Sequence, residues 1–255
     1  MACALTLANA LDTKKLTLMA VMAAVYTVGS FLPGFPMVGA TGTIDLVRAL
    51  EMGYGILLGP VYGPMAAFLG ALIGKFMSGG GFGMFMIPLA PVTAFIAAAL
   101  SRPKVYRVKG WMYPVAIISV LCLGWYLTPT GRAVYYFPVW HLIGLGIVLI
   151  FRGKMADLLQ SENRGQLTLG IALSSYAATM AGHMLGNLIF IALGPSVLGL
   201  PSPVITSIFS GLFYVTPIER IMITALSTLI MVPIIYVARN MYCLLYTSPS
   251  PRDRS

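Results

Sequence analysis

The sequence predicts an all-α fold, a polytopic bundle of transmembrane helices. Of its 255 residues 58% are apolar and only 9% charged, and the apolar residues gather into long runs rather than alternating. With a mean hydropathy of +0.89, a water-soluble domain is excluded, because most of its surface would be apolar. A hydrocarbon core about 30 Å thick needs about 20 apolar residues per helix. Eight runs reach or approach that length: 16–32, 46–59, 60–77, 84–100, 111–128, 135–151, 167–193 and 219–239. The expected architecture is six to eight membrane helices in one domain over residues 1–243.

Lys14 and Lys15 precede the first run without a small-residue cleavage site, so that run is expected to stay as a helix rather than be removed as a leader. The second run, 46–59, is the shortest, about 21 Å as a helix, and carries Arg48 and Glu51 near its start. The sequence Gly59-Pro60-Val61-Tyr62-Gly63-Pro64 joins it to the third run as a tight helical hairpin, since Pro fixes φ and Gly reaches conformations closed to other residues. Ser78 to Gly83 is a glycine-rich connection without the GK[ST] ending of a phosphate-binding loop. Two further Gly/Pro-rich stretches, Pro33–Gly42 and Gly194–Pro203, are expected to be non-helical. They read either as covers over an outward-facing pocket or as plain surface loops. Residues 244–255 turn abruptly to a polar Ser, Pro and Arg mixture and are expected to be a disordered tail, foreign to the natural chain from about residue 241.

Sixteen Lys and Arg against seven Asp and Glu give a net charge of +9. The excess has a topological cause, because basic residues collect in cytoplasmic loops. With eight spans and a cytoplasmic N-terminus, Lys14, Lys15, Arg102, Lys104, Arg107, Lys109, Arg152, Lys154, Arg164 and Arg239 fall inside. Arg48, Lys75, Arg132 and Arg220 fall outside or at outer ends. Both termini are therefore expected to be cytoplasmic. No basic helix face or basic-aromatic stripe accompanies the charge, so no nucleic-acid partner is expected; the lipid bilayer is.

Cys3, Cys122 and Cys243 form no metal-ligand or CxxC spacing, and no catalytic motif is present, so neither a metal, a cofactor nor an enzyme activity is expected. The informative polar residues are few. His183 and Asn187 lie one turn apart on one face of the seventh run, at a depth where polar groups either mark a solute path or bond to a neighbouring helix. Gly182 and Gly186 beside them allow close helix approach. Glu219 and Arg220 follow Pro217 at the expected outer start of the last run, where a carboxylate complements the helix dipole or turns toward a ligand. Trp140, His141, Tyr135 and Tyr136 sit toward the outer end of the sixth run, where an aromatic belt is expected in any case. Ala20 and Ala24 make a small-xxx-small face on the first run, suited to docking another helix.

Four stretches resemble the substrate-binding S components of energy-coupling factor transporters: the Ala20–Ala24 face, the hairpin GPVYGPMAAFLGALIG of 59–74, GHMLGN of 182–187, and TPIERIMITALSTLIMVPII of 216–235. The resemblance implies a solute-binding membrane subunit for a vitamin-like small molecule, in the plasma membrane of a prokaryote. It also implies separate ATPase subunits and a transmembrane coupling subunit docked on Ala20 and Ala24. The pocket would open outward beneath the loop after the first helix, with His183, Asn187, Glu219, Arg220, Trp140 and Thr41 as candidate solute contacts. That family is typically six-helical, so runs 111–128 and 135–151 read as an inserted hairpin. The alternative is a stand-alone secondary transporter or channel, which inverted repeats would favour, and none is evident.

Overall fold

In a membrane every backbone N–H and C=O must be satisfied within the segment, so apolar runs become helices. The computed structural model, which describes residues 13–32, 34–36 and 43–247, follows that rule. All eight runs form helical rods, and the chain is an all-α membrane bundle. The helices are α1 (Thr13–Gly29), α2 (Glu51–Met77), α3 (Leu89–Leu100), α4 (Met112–Leu127), α5 (Pro129–Ala133), α6 (Val139–Phe151), α7 (Met155–Gln160), α8 (Arg164–Val197) and α9 (Ser202–Thr247). 3-10 turns at Leu46–Leu50 and Gly81–Met86 lead into α2 and α3. The only strands among the described residues are two minimal hairpins, Phe35–Pro36 with Thr43–Ile44 and Lys104–Val105 with Val108–Lys109.

The expected turn at Gly59 is present within α2. Gly59 adopts φ 90° and ψ −174°, which breaks the helix and lets Pro60 start a second arm. In a straight helix residues 54 and 63 would stand about 13 Å apart. Here the Cα of Gly63 packs against the backbone of Tyr54 and Gly55, so the two arms run back to back. The second arm lies on α1, where Gly70 meets Ala23 and Tyr26, and the Tyr54 hydroxyl of the first arm donates to Met22 O at 2.7 Å. The first arm packs on α3 through Gly55 against Ala94 and Ala98.

Helix α8 sits at the centre of the remaining helices. Gly182 and Gly186 bring it against Thr93 and Leu89 of α3, the close approach their spacing predicts. Gly144 of α6 and Gly170 of α8 allow similar contacts with Met180 and with Leu158–Leu159. An aromatic cluster of Trp125, Phe137 and Phe209 fills the space between α4, α6 and α9, with Trp125 stacked on Phe137 at 4.7 Å. Its burial removes several hundred square ångströms of apolar surface from solvent or lipid.

Polar contacts between helices join ends that the alternating topology puts on the same side. Lys75 and Asp45 pair at 2.7 Å, and Thr206 contacts Thr130 at 3.5 Å, at one end. Arg102 lies beside Gly59, Gln160 donates to Ser101 O at 2.8 Å, and Arg164 stacks over Tyr236 at 4.4 Å, at the other.

Two expectations are corrected. The stretch Gly194–Pro203 is mostly helical: α8 continues through Pro195 to Val197 and α9 begins at Ser202. Glu219 and Arg220 consequently lie in the interior of α9, not at a helix start, and the helix continues through Pro217. The reason is that Pro203 sits in the first turn of a helix, where its missing N–H costs nothing. The last helix runs to Thr247, past the start of the expected tail, and residues 248–255 lie outside the described residues.

Candidate functional site

Helices α2, α6, α8 and α9 bring a set of ionisable and polar side chains into one buried core. Glu51, 2% exposed, opens the first arm of α2. It accepts a hydrogen bond from the Tyr26 hydroxyl of α1 at 2.8 Å, has Thr93 of α3 beside it, and faces Arg48 at 4.0 Å. A buried carboxylate without such partners would carry a penalty of several kcal/mol. Glu51 therefore ties α1, α2 and α3 together.

On the other side of the core, Glu219 and Arg220 are each 6% exposed and contact one another at 3.4 Å. His141 of α6 is fully buried, and its Nε2 lies 3.1 Å from Nδ1 of His183 on α8, with the rings nearly parallel at 8°. Arg220 interacts electrostatically with both histidines, Arg48 with His183, and Glu51 with Arg220. Two arginines, two glutamates and two histidines thus form one electrostatic unit, balanced in charge when the imidazoles are neutral.

This core is not self-satisfied. Asn187 Nδ2, Glu219 Oε1, Arg220 Nε, Thr224 Oγ1, Ser227 Oγ and His141 Nδ1 are buried without a hydrogen-bond partner. Each such atom costs about 1–3 kcal/mol, and native proteins keep few of them. Four of them lie on α9, one on α8 and one on α6. Two surface clefts lie elsewhere and are apolar. One of about 200 Å³ is lined by tyrosines 126, 135 and 136 with Phe213, and one of about 230 Å³ by Pro233, Tyr236 and Arg164.

Of the residues singled out in sequence, His183, Asn187, Glu219 and Arg220 belong to this core. Trp140 stands at its edge with its Nε1–H already donated to Phe213 O at 3.0 Å. Thr41 lies outside the described residues. Ala20 and Ala24 are exposed on the outer face of α1, beside exposed Val21, Val25 and Val28, and are not used in internal packing. Sequence reasoning passed over Arg48, Glu51, Tyr26 and Thr93, and took His141 for a belt residue. The available signal was the Arg48–Glu51 pair at i, i+3 inside an apolar run, where two opposite charges survive only if each is compensated.

Comparison with known proteins adds an independent line. The family described as "ECF-type riboflavin transporter, S component" matches residues 10–150, more than half of the chain. The match includes the Ala20–Ala24 face and the Gly59 hairpin. It also runs through α4 and α6, which places these helices within the matched region, and it ends before α8 and α9. An uncharacterized protein of Methanocaldococcus jannaschii is 33% identical over 157 residues, 61% of this chain and 51% of that protein. The chain thus spans about half the length of this curated relative. No solved structure matches it.

Proposed function

Because the chain belongs to the ECF-type riboflavin transporter S-component family, and so is a substrate-specific membrane transport subunit rather than an enzyme, we propose that it captures a riboflavin-like vitamin in the buried polar core between α2, α6, α8 and α9. The observation that carries this reading is the set of unsatisfied atoms. Asn187 Nδ2 and Arg220 Nε are donors and Glu219 Oε1 is an acceptor, all buried and all without partners. A ligand that satisfies them brings acceptors for the two donors and a donor for the carboxylate oxygen, as an imide edge, two carbonyls flanking an N–H, does. The isoalloxazine ring of a flavin carries such an edge. Binding would supply the interactions these atoms lack within the chain, at about 0.5–1.5 kcal/mol per neutral hydrogen bond and more for those to charged groups.

On this proposal the exposed α1 face with Ala20 and Ala24 receives a separate transmembrane coupling subunit, whose small-residue contact allows close helix approach. ATPase subunits supply the energy, and the assembly resides in a prokaryotic plasma membrane. Residues 1–243 act as one domain. Riboflavin titration of the purified protein, followed by quenching of flavin fluorescence, tests the substrate. Saturable binding at one flavin per chain is expected. Absence of flavin binding, together with solute flux through liposomes containing this chain alone, would instead establish a self-sufficient transporter.

A further inference from the structure

We infer that Thr224 and Ser227 of α9 form a second subsite beside Arg220, one that takes the hydroxyl groups of the solute's flexible chain. The inference rests on the polar core being the solute site and concerns which part of the solute lies where.

A Ser or Thr hydroxyl inside a helix can satisfy itself by donating to the carbonyl four residues earlier. Helix α9 does this at four positions. Thr206 donates to Ser202 O at 3.0 Å, Ser210 to Thr206 O at 3.0 Å, Thr216 to Leu212 O at 2.7 Å and Thr228 to Thr224 O at 2.7 Å. Thr224 and Ser227 depart from the pattern. Both hydroxyl oxygens are buried without a hydrogen-bond partner, and Ser227 is only 1% exposed. An unpaired buried hydroxyl is costly. Two of them, on a helix whose neighbouring hydroxyls are satisfied locally, point to a partner from outside the chain.

Arg220, Thr224, Ser227 and Met231 follow one another at intervals of four, three and four, and so share one face of α9. Met231 packs on Gly53, which turns that face toward the first arm of α2. Thr224 stands about 6 Å and Ser227 about 10 Å along the axis from Arg220. The two hydroxyls therefore continue the polar core for two turns toward the end where Arg164 lies over Tyr236.

Their chemistry selects the group they take. A hydroxyl both donates and accepts, so a ligand carbonyl or carboxylate meets only its donor, whereas another hydroxyl meets both. No charged residue follows Arg220 on α9 before Arg239, so nothing on this stretch balances a charged ligand group. Cβ atoms at i and i+3 lie about 5–6 Å apart, a span covered by a chain that bears several hydroxyls. On riboflavin that chain is the ribityl group, which lies along Thr224 and Ser227 while the imide edge is held at Asn187, Glu219 and Arg220.

Thr224→Val and Ser227→Ala remove the hydroxyls with little change of shape. Riboflavin and lumiflavin, which lacks the ribityl hydroxyls, are titrated against the parent and each variant by flavin fluorescence. Thr228→Val, whose hydroxyl is bonded to Thr224 O, is the control. Thr224→Val and Ser227→Ala should each weaken riboflavin roughly three- to tenfold, the loss of about one hydrogen bond, and leave lumiflavin unchanged. Thr228→Val should change neither. Without ligand, the melting temperatures of the first two variants should stay level or rise, since each loses an unpaired buried group. A fall of several degrees would show that the hydroxyls are bonded within the chain and would overturn the inference. Unchanged riboflavin affinity, as for hydroxyls that hold only water, or equal losses for both flavins, overturns it as well. If the parent binds no flavin at all, the flavin reading fails, and ribitol, the bare polyol chain, decides the subsite. A melting temperature raised by ribitol in the parent but not in the double variant supports it, and no rise in the parent overturns it.

Discussion

The indole Nε1–H of Trp140 donates to the carbonyl oxygen of Phe213 at 3.0 Å. Phe213 is the residue four before Pro217, so its carbonyl is the one that the proline, lacking an N–H, leaves without a helical partner. Helix α9 can pass through Pro217 because α6 supplies the missing donor. This contact holds α6 against α9 within a few residues of His141 and Arg220.

Trp140→Phe should therefore lower stability by about 1–2 kcal/mol, the cost of a buried carbonyl left unpaired. In a Pro217→Ala background, where the helix satisfies Phe213 O itself, the same substitution should cost clearly less. Thermal unfolding of the four proteins in one detergent measures the coupling, and additive effects would mean that the indole does not compensate the proline.

Asn187→Leu should weaken riboflavin at least tenfold while leaving the melting temperature unchanged or raised, because it removes a buried orphan donor along with a ligand contact. Retained affinity would remove Asn187 from the site.

Tyr26→Phe should destabilise the protein by about 1.5–3 kcal/mol, the range for a hydrogen bond to a charged group. The Tyr26 hydroxyl is a principal partner of buried Glu51. The further change Glu51→Gln should recover part of that loss by removing the charge. Equal stability of Tyr26→Phe and the parent, read from unfolding curves, would contradict the role of Glu51 in joining α1 to α2.

Ala20→Leu with Ala24→Leu should leave flavin affinity intact, since both alanines are exposed, yet prevent co-purification of a coupling subunit. Loss of flavin binding in that variant would instead assign the face to internal packing.

Tyr106 and Arg107 form the two-residue turn of the second hairpin with φ of 45° and 72°, a conformation that favours Asn and Gly. Replacing them by Asn and Gly should stabilise the protein by about 1–2 kcal/mol through relief of that strain. A lower melting temperature would show that these side chains make stabilising contacts.

Much of the architecture was legible because lipid leaves an apolar run little choice but helix, and because Gly59-Pro60 can hardly continue one. The Gly182 and Gly186 contacts followed from spacing alone. The connection between α8 and α9 was misread for a local reason: Pro195 and Pro203 signal loops in water, whereas at helix ends within a bundle they are accommodated. That error moved Glu219 and Arg220 from mid-helix to a supposed helix start. His183 and Asn187 were recognisable as rare polar groups in an apolar setting. His141 was not, because three aromatic neighbours gave it an ordinary explanation, and its pairing with His183 depends on how α6 crosses α8, which no local pattern encodes.

The most direct measurement is native mass spectrometry of the detergent-purified protein alongside its Asn187→Leu variant. One flavin-sized molecule per chain, retained by the parent and lost by the variant, is the expected result. A parent chain that holds no small molecule even after incubation with riboflavin, but conducts solute alone in liposomes, would contradict the assignment of the polar core as the capture site of a transporter subunit.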